Sequence, residues 1–220
     1  MNLRNIRFIG SRQTFLQRLC RDKTVLHLGC TASPDVDGRI QRGESIHMNL
    51  LKTARAVHGV DLDAQAVCKM RDVYGVQNLH VGNVEELDKL KIPNDEQFDI
   101  VLAAELIEHL SCPGKMVEGV KRFMRVDSRF ILTTPNPLSV KYFLHAFFGN
   151  EVQGPDHTIM ISPQTGTLLF EKRHGFRILN VYSCLETHSK PANRITRPIF
   201  YPAFAIAPWY ADGLIFELGL

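Results

Sequence analysis

Short β-branched runs alternate with stretches of helical periodicity along most of this chain, and that alternation constrains its fold more than any other feature. Strand-like runs fall at 24–28, 56–61, 78–81, 98–103, 129–134, 176–182 and 213–218. Between them, 46–54, 64–70, 116–124 and 163–174 carry helical spacing, and Gly175 stands where the last of these would stop. Two parallel neighbours cannot be joined by a tight turn, so strand–helix–strand repetition predicts a mostly parallel sheet with helices on both faces. The expectation is an α/β fold of seven strands with the last one antiparallel. Residues 1–23 read as a helical extension, and 190–208 is proline-rich and irregular. A length of 220 residues suits one domain. The expected division is an extension at 1–23, a cofactor-binding core at 24–135 and an acceptor-side segment with the last two strands at 136–220.

Composition narrows the setting. Charged residues make up 22% and hydrophobic ones 45%, the balance of an ordinary folded domain. With 26 basic against 23 acidic side chains, the chain needs no polyanionic partner. Cys20, Cys30, Cys68, Cys112 and Cys184 are widely spaced with no Cys-x-x-Cys pair, which predicts free thiols and a cytoplasmic location. Residues 195–220 are apolar, yet Pro198, Pro202, Pro208, Asp212 and Glu217 break the run, so no transmembrane helix is expected there. A homodimer or peripheral membrane contact through 195–220 remains open.

Open parallel sheets bind ligands beyond the carboxyl ends of their strands. Following the first run, Val25-Leu26-His27-Leu28-Gly29-Cys30 ends on a glycine that lets backbone come close to a ligand. Following the second, Asp61 is placed to accept hydrogen bonds from both hydroxyls of a ribose, while Asp63 is suited to cap the next helix. Gly82-Asn83-Val84-Glu85 follows the third, 98–103 forms the fourth, and Thr133-Thr134-Pro135-Asn136 closes the fifth. Together these segments resemble the class I S-adenosylmethionine-dependent methyltransferases, which have a Rossmann-like fold. His27 stands in place of the usual acid, Thr31 in place of a second glycine, and Asn83 in place of an aspartate. The resemblance spans roughly 24–176 and implies S-adenosyl-L-methionine as cofactor, with His27, Gly29, Cys30, Asp61, Leu62, Asn83, Val84 and Ala103 around it. A nicotinamide-binding fold would want Gly-x-Gly-x-x-Gly, and Gly29-Cys30-Thr31-Ala32-Ser33-Pro34 lacks it.

Glu105-Leu106-Ile107-Glu108-His109-Leu110 follows the fourth strand. If helical, it sets Glu105, Glu108 and His109 on one face. The pattern resembles an E-x-x-E-H segment of ubiquinone-pathway O-methyltransferases and small-RNA 2'-O-methyltransferases, where it is associated with a divalent ion. The RNA enzymes add a histidine from a later Asp-His pair, matched here by Asp156-His157. That resemblance implies a magnesium, manganese or zinc site formed by Glu105, Glu108, His109 and His157. A base role for His109 or His157 beside Glu108, or a purely structural one, is equally open. Arg122, Arg125, Arg129, Arg173, Arg177, Arg194 and Arg197 are scattered rather than clustered with aromatics, so a small-molecule or sugar hydroxyl is the expected acceptor, ahead of RNA. A noncatalytic cofactor-binding domain or scaffold is the alternative of another class.

Overall fold

The computed structural model describes residues 2–92, 97–151, 154, 156–185 and 202–220. Its strands are β1 (Arg7–Ser11), β2 (Thr24–Leu28), β3 (Ala56–Asp61), β4 (Leu79–Val81), β5 (Phe98–Ala104), β6 (Met124–Pro135), β7 (Arg177–Leu185) and β8 (Gly213–Gly219). They form one sheet in the order β1-β7-β8-β6-β5-β2-β3-β4. Pairing is parallel except for β8, which runs antiparallel between β6 and β7. The helices are α1 (Arg12–Leu19), α2 (Val36–Gln41), α3 (Ile46–Leu50), α4 (Ala64–Asp72), α5 (Pro113–Gly119), α6 (Val140–Phe147) and α7 (Pro163–Gly166).

Both faces of the sheet are covered, as a parallel sheet requires. Along β5 the side chains alternate: Val101 and Ala103 join a core with Leu26, Leu28, Phe130, Leu132, Phe170 and Phe216. Ile100 and Leu102 point the other way, into a core with Phe15 and Leu16 of α1 and Leu50 of α3. Short polar side chains start the helices: Ser11 accepts from Thr14 N, Ser45 from Met48 N, and Asp63 from Ala66 N.

Eight strands form instead of seven. The additional one, β1, lies within the stretch expected to be helical, and only α1 there is an α-helix. Arg7-Phe8-Ile9-Gly10-Ser11 has too few apolar residues to stand out, and it becomes a strand because the exposed edge of β7 offers it a parallel partner. Strand β6 begins five residues earlier than the apolar run suggested, because Ser128 donates to Phe98 O and accepts from Arg125 N, tying the polar lead-in to β5. Residues 120–123 accordingly end the preceding helix as a 3-10 turn. The helix expected over 163–174 is α7 continuing into a π-helix, Thr167–Arg173, and the chain then turns at Gly175, whose φ is +69°. Within the stretch read as irregular, 186–201 lies outside the described residues, 202–206 is helical and Pro208–Tyr210 is a 3-10 turn. An outward contact through all of 195–220 is excluded by β8, which is hydrogen-bonded on both sides and largely buried. No described helix is long and apolar enough to cross a membrane, and all five cysteines are free thiols.

Candidate cofactor and acceptor site

β2, β3, β4, β5 and β6 run parallel, so their carboxyl ends share one edge of the sheet. At the end of β2 the chain turns through Gly29, with φ +68°, a conformation other residues rarely adopt. Gly29 N donates to Val60 O at 2.8 Å. A Cβ on Gly29 would stand 2.9 Å from Leu106 Cδ1, so the loop after β5 closes directly over this turn.

Asp61 ends β3. Its Oδ2 accepts from both Thr31 N and Thr31 Oγ1 at 2.9 Å, and its Oδ1 accepts from Asp63 N at 3.1 Å. Thr31, at the position where a second glycine was expected, thus orients the carboxylate that would meet the ribose. A carboxylate oxygen can accept more than one hydrogen bond, so Asp61 still has capacity for ribose hydroxyls. Asp63 serves as the cap of α4 and also accepts from Ser33 Oγ at 2.5 Å; these hydrogen bonds hold its carboxyl below the usual range.

Asn83 Oδ1 accepts from Glu85 N at 2.9 Å and caps a 3-10 turn, Val84–Lys89. Its amide nitrogen is the group able to meet an adenine edge. A cavity of about 440 Å³ lies here, lined by Val81, Gly82, Asn83 and Leu90 among others. Leu62 is exposed at the strand end, whereas Cys30, Val84 and Ala103 are buried packing residues. Burial, reinforced by Asp61, raises the Cys30 thiol well above its ordinary pKa.

His27 is buried, its Nδ1 lying 3.3 Å from Nδ1 of His47 on α3, with the rings stacked at 5.5 Å. One nitrogen must donate and the other accept. Each Nε2 is buried without a hydrogen-bond partner, and desolvation lowers both pKa values, that of His47 to about 4. Two neutral imidazoles therefore stand where the resemblance placed one acid, and the sequence had given His47 no role.

On the acceptor side the expected helical face does not form. Glu105 has φ +50°, and only Ile107–His109 make a 3-10 turn, so the i, i+3, i+4 spacing no longer gathers three side chains. Glu105 Oε1 instead meets buried Arg12 Nη1 at 2.6 Å and accepts from Thr133 Oγ1 at 3.0 Å. Ligating atoms of Glu108, His109 and His157 do come together, all within 4.8 Å of one another. Thr158 makes this contact by donating N–H to Glu108 O at 2.8 Å and its hydroxyl to Leu110 O at 3.0 Å. The His109 and His157 rings meet edge to face at 4.8 Å. His109 Nδ1 lies 3.2 Å from the Asp156 carbonyl, to which it donates, which leaves Nε2 with its lone pair. Glu108 is fully buried and neither carboxyl oxygen has a hydrogen-bond partner. Burial first, and the Glu105 charge second, push its pKa up to about 8. Arg12 and Thr158 carried no sequence signal, because one lies in the extension and the other in a loop.

Comparison with known proteins bears on the family and the fold. Residues 41–132 match the family model described as a methyltransferase domain. A probable S-adenosylmethionine-dependent methyltransferase of Mycolicibacterium smegmatis is 26% identical over 88% of this chain and 70% of its own length. The mitochondrial ubiquinone biosynthesis O-methyltransferase of Candida albicans is 33% identical over 68% of this chain, which spans only 41% of that protein. Among solved structures, a SAM-dependent methyltransferase from Archaeoglobus fulgidus superposes with a TM-score of 0.60 at 19% identity, covering 94% of this chain and 92% of its own. An N-methyltransferase of Bradyrhizobium japonicum bound to S-adenosyl-L-homocysteine has the same fold, with a TM-score of 0.54 at 10% identity over 94% of this chain and 85% of its own. The chain thus has the class I S-adenosylmethionine-dependent methyltransferase fold, and its residues 41–132 match a methyltransferase domain.

Proposed function

We propose that this methyltransferase acts on a hydroxyl of a small molecule, and that Glu108, His109 and His157 receive it. The observation that carries this reading is the convergence of those three side chains, buried Glu108 and exposed His109 from the loop that Leu106 packs over the Gly29 turn, and half-buried His157 from a later segment. The bound cofactor supplies an electrophilic methyl on a sulfonium: the S–CH₃ bond breaks as the O–CH₃ bond forms, and S-adenosylhomocysteine leaves without needing a proton. What the protein must do is align the acceptor and take its proton. His109 suits the second task, because the Asp156 carbonyl fixes its tautomer with Nε2 as the acceptor. Glu108, held protonated near neutral pH, can donate to the acceptor oxygen.

A cavity of about 400 Å³, lined by Pro137, Tyr142, Ala146, Met160 and the polar Asn150 and Glu151, favours a compact, partly apolar acceptor over a polyanion such as RNA. The relationship to an O-methyltransferase points to oxygen as the methylated atom. A second reading rests on the same cluster: one carboxylate and two imidazoles fit a divalent cation, which would lower the pKa of a bound hydroxyl. Glu105 is outside this set, being paired with Arg12.

The test is S-adenosylhomocysteine release from phenolic, sugar and RNA acceptors, with and without chelator. His109→Ala should lower turnover by about 10²–10⁴-fold while chelator has no effect. Loss of turnover in chelator, restored by magnesium or manganese, favours the metal reading. Cofactor binding without turnover on any acceptor would leave a noncatalytic domain.

A further inference from the structure

Helix α6 buries none of its residues. Its sequence, Val140-Lys141-Tyr142-Phe143-Leu144-His145-Ala146-Phe147, divides into three stripes at helical spacing. Val140, Phe143, Leu144 and Phe147 share one face. Val140 packs on the domain against Leu185, Phe204 and Ala211, and the rest of that face continues outward. Phe143 is 65% exposed, Leu144 45%, Phe147 72% and the following Phe148 73%. Tyr142 and Ala146 turn to the 400 Å³ cavity. Lys141 and His145 form the third stripe, and residues 136–150 contain no carboxylate.

Protruding rings of this kind mark a candidate contact face, because the largest apolar patch on a monomer, about 300–600 Å², is often functional. The area argues against a second copy: the exposed rings and Leu144 amount to roughly 500 Å², against about 800 Å² per partner in a stable interface. Charge argues the same way. A two-fold dimer would set the Lys141 stripe against its own copy with no acid in α6 to neutralise it, Glu151 lying beyond the helix at the cavity. Shape argues against a peptide, since rings standing out from a helix with no buried residue form no groove. An anionic lipid surface answers all three: the phenylalanines enter the acyl boundary, and Lys141 and His145 meet headgroup phosphates.

We propose that α6, with Phe148 at its end, docks this enzyme on an anionic lipid bilayer through Phe143, Leu144 and Phe147. The cavity beside Tyr142 and Ala146 then opens at the lipid surface. This inference is independent of the acceptor's identity and needs no turnover to test.

The experiment is flotation of the full chain with vesicles of phosphatidylcholine alone or containing phosphatidylglycerol. Wild type should float with the anionic vesicles. Phe143→Ser with Phe147→Ser should reduce the bound fraction at least tenfold, and Lys141→Glu at least fivefold on anionic vesicles alone. S-adenosylhomocysteine affinity should be unchanged in both variants, which separates lost docking from lost folding; if the double variant unfolds, Lys141→Glu decides. Equal flotation of wild type and variants, or no flotation of wild type, overturns the proposal. So does a lipid-free dimer of wild type that the phenylalanine substitutions dissociate.

Discussion

Lowering the pH from 7 to 5 is expected to cost the fold about 2 kcal/mol through the His27–His47 pair. In the folded protein His47 has its pKa lowered to about 4 by burial, and in the unfolded chain it returns to 6.5. The unfolded state therefore binds the proton more tightly. This group's contribution is fully present above pH 6.5 and is lost as the pH falls toward 4. The complete span, at about 1.4 kcal/mol per pH unit, is worth about 3 kcal/mol, and about 2 of these are gone by pH 5. His27 acts in the same direction, because its pKa is also lowered by burial and then by the neighbouring His47 charge. Geometry explains why neither proton is accepted. The two Nδ1 atoms, 3.3 Å apart, already share one proton, and each Nε2 faces no acceptor. Urea unfolding at intervals between pH 7.5 and 4.5 measures the loss, comparing wild type with His27→Gln/His47→Gln. The wild-type curve should fall more steeply with acid than that of the double variant. Parallel curves would refute the assignment of the acid sensitivity to this pair.

Four substitutions at the cofactor and acceptor sites have expected outcomes. Asp61→Ala should weaken S-adenosylhomocysteine binding by about 1.5–3 kcal/mol in calorimetry, since a charge-assisted acceptor is lost. Thr31→Ala should weaken it less, by about 1 kcal/mol, because it removes only one of the three hydrogen bonds that orient Asp61; unchanged affinity in both would remove Asp61 from the site. Gly29→Val should abolish cofactor binding while a cooperative thermal transition persists, given φ +68° and Leu106 at 2.9 Å; retained affinity would contradict it. Arg12→Leu should destabilise the domain by about 3 kcal/mol in urea unfolding, because it strands Glu105 beside Thr133 without its cation; a change below about 0.5 kcal/mol would mean that the pair is solvent-screened.

What could be read from residue order was whatever depends on local periodicity. The β-branched run at 98–103 became β5, the acid at 61 falls at the end of β3, and Asp63 caps α4, because these properties belong to a few neighbouring residues. The last strand was correctly expected to be antiparallel. Contacts between distant segments were not legible in this way. β1 is a strand only because β7 leaves an edge beside it. His27 is half of a buried pair only because α3 lays His47 over the face of the sheet that carries His27. The E-x-x-E-H segment shows the division within six residues: helical spacing predicted that Glu105, Glu108 and His109 would share a face, but Glu105 takes a left-handed backbone and pairs with Arg12. His157 does reach Glu108 and His109, through hydrogen bonds from Thr158 to the backbone of the turn. Sequence by itself determined the alternation of strands and helices, and with it the edge of the sheet where a cofactor can bind. Tertiary structure decided which charged side chains face one another there, because ion pairs and buried imidazoles are set by packing between segments far apart in the chain.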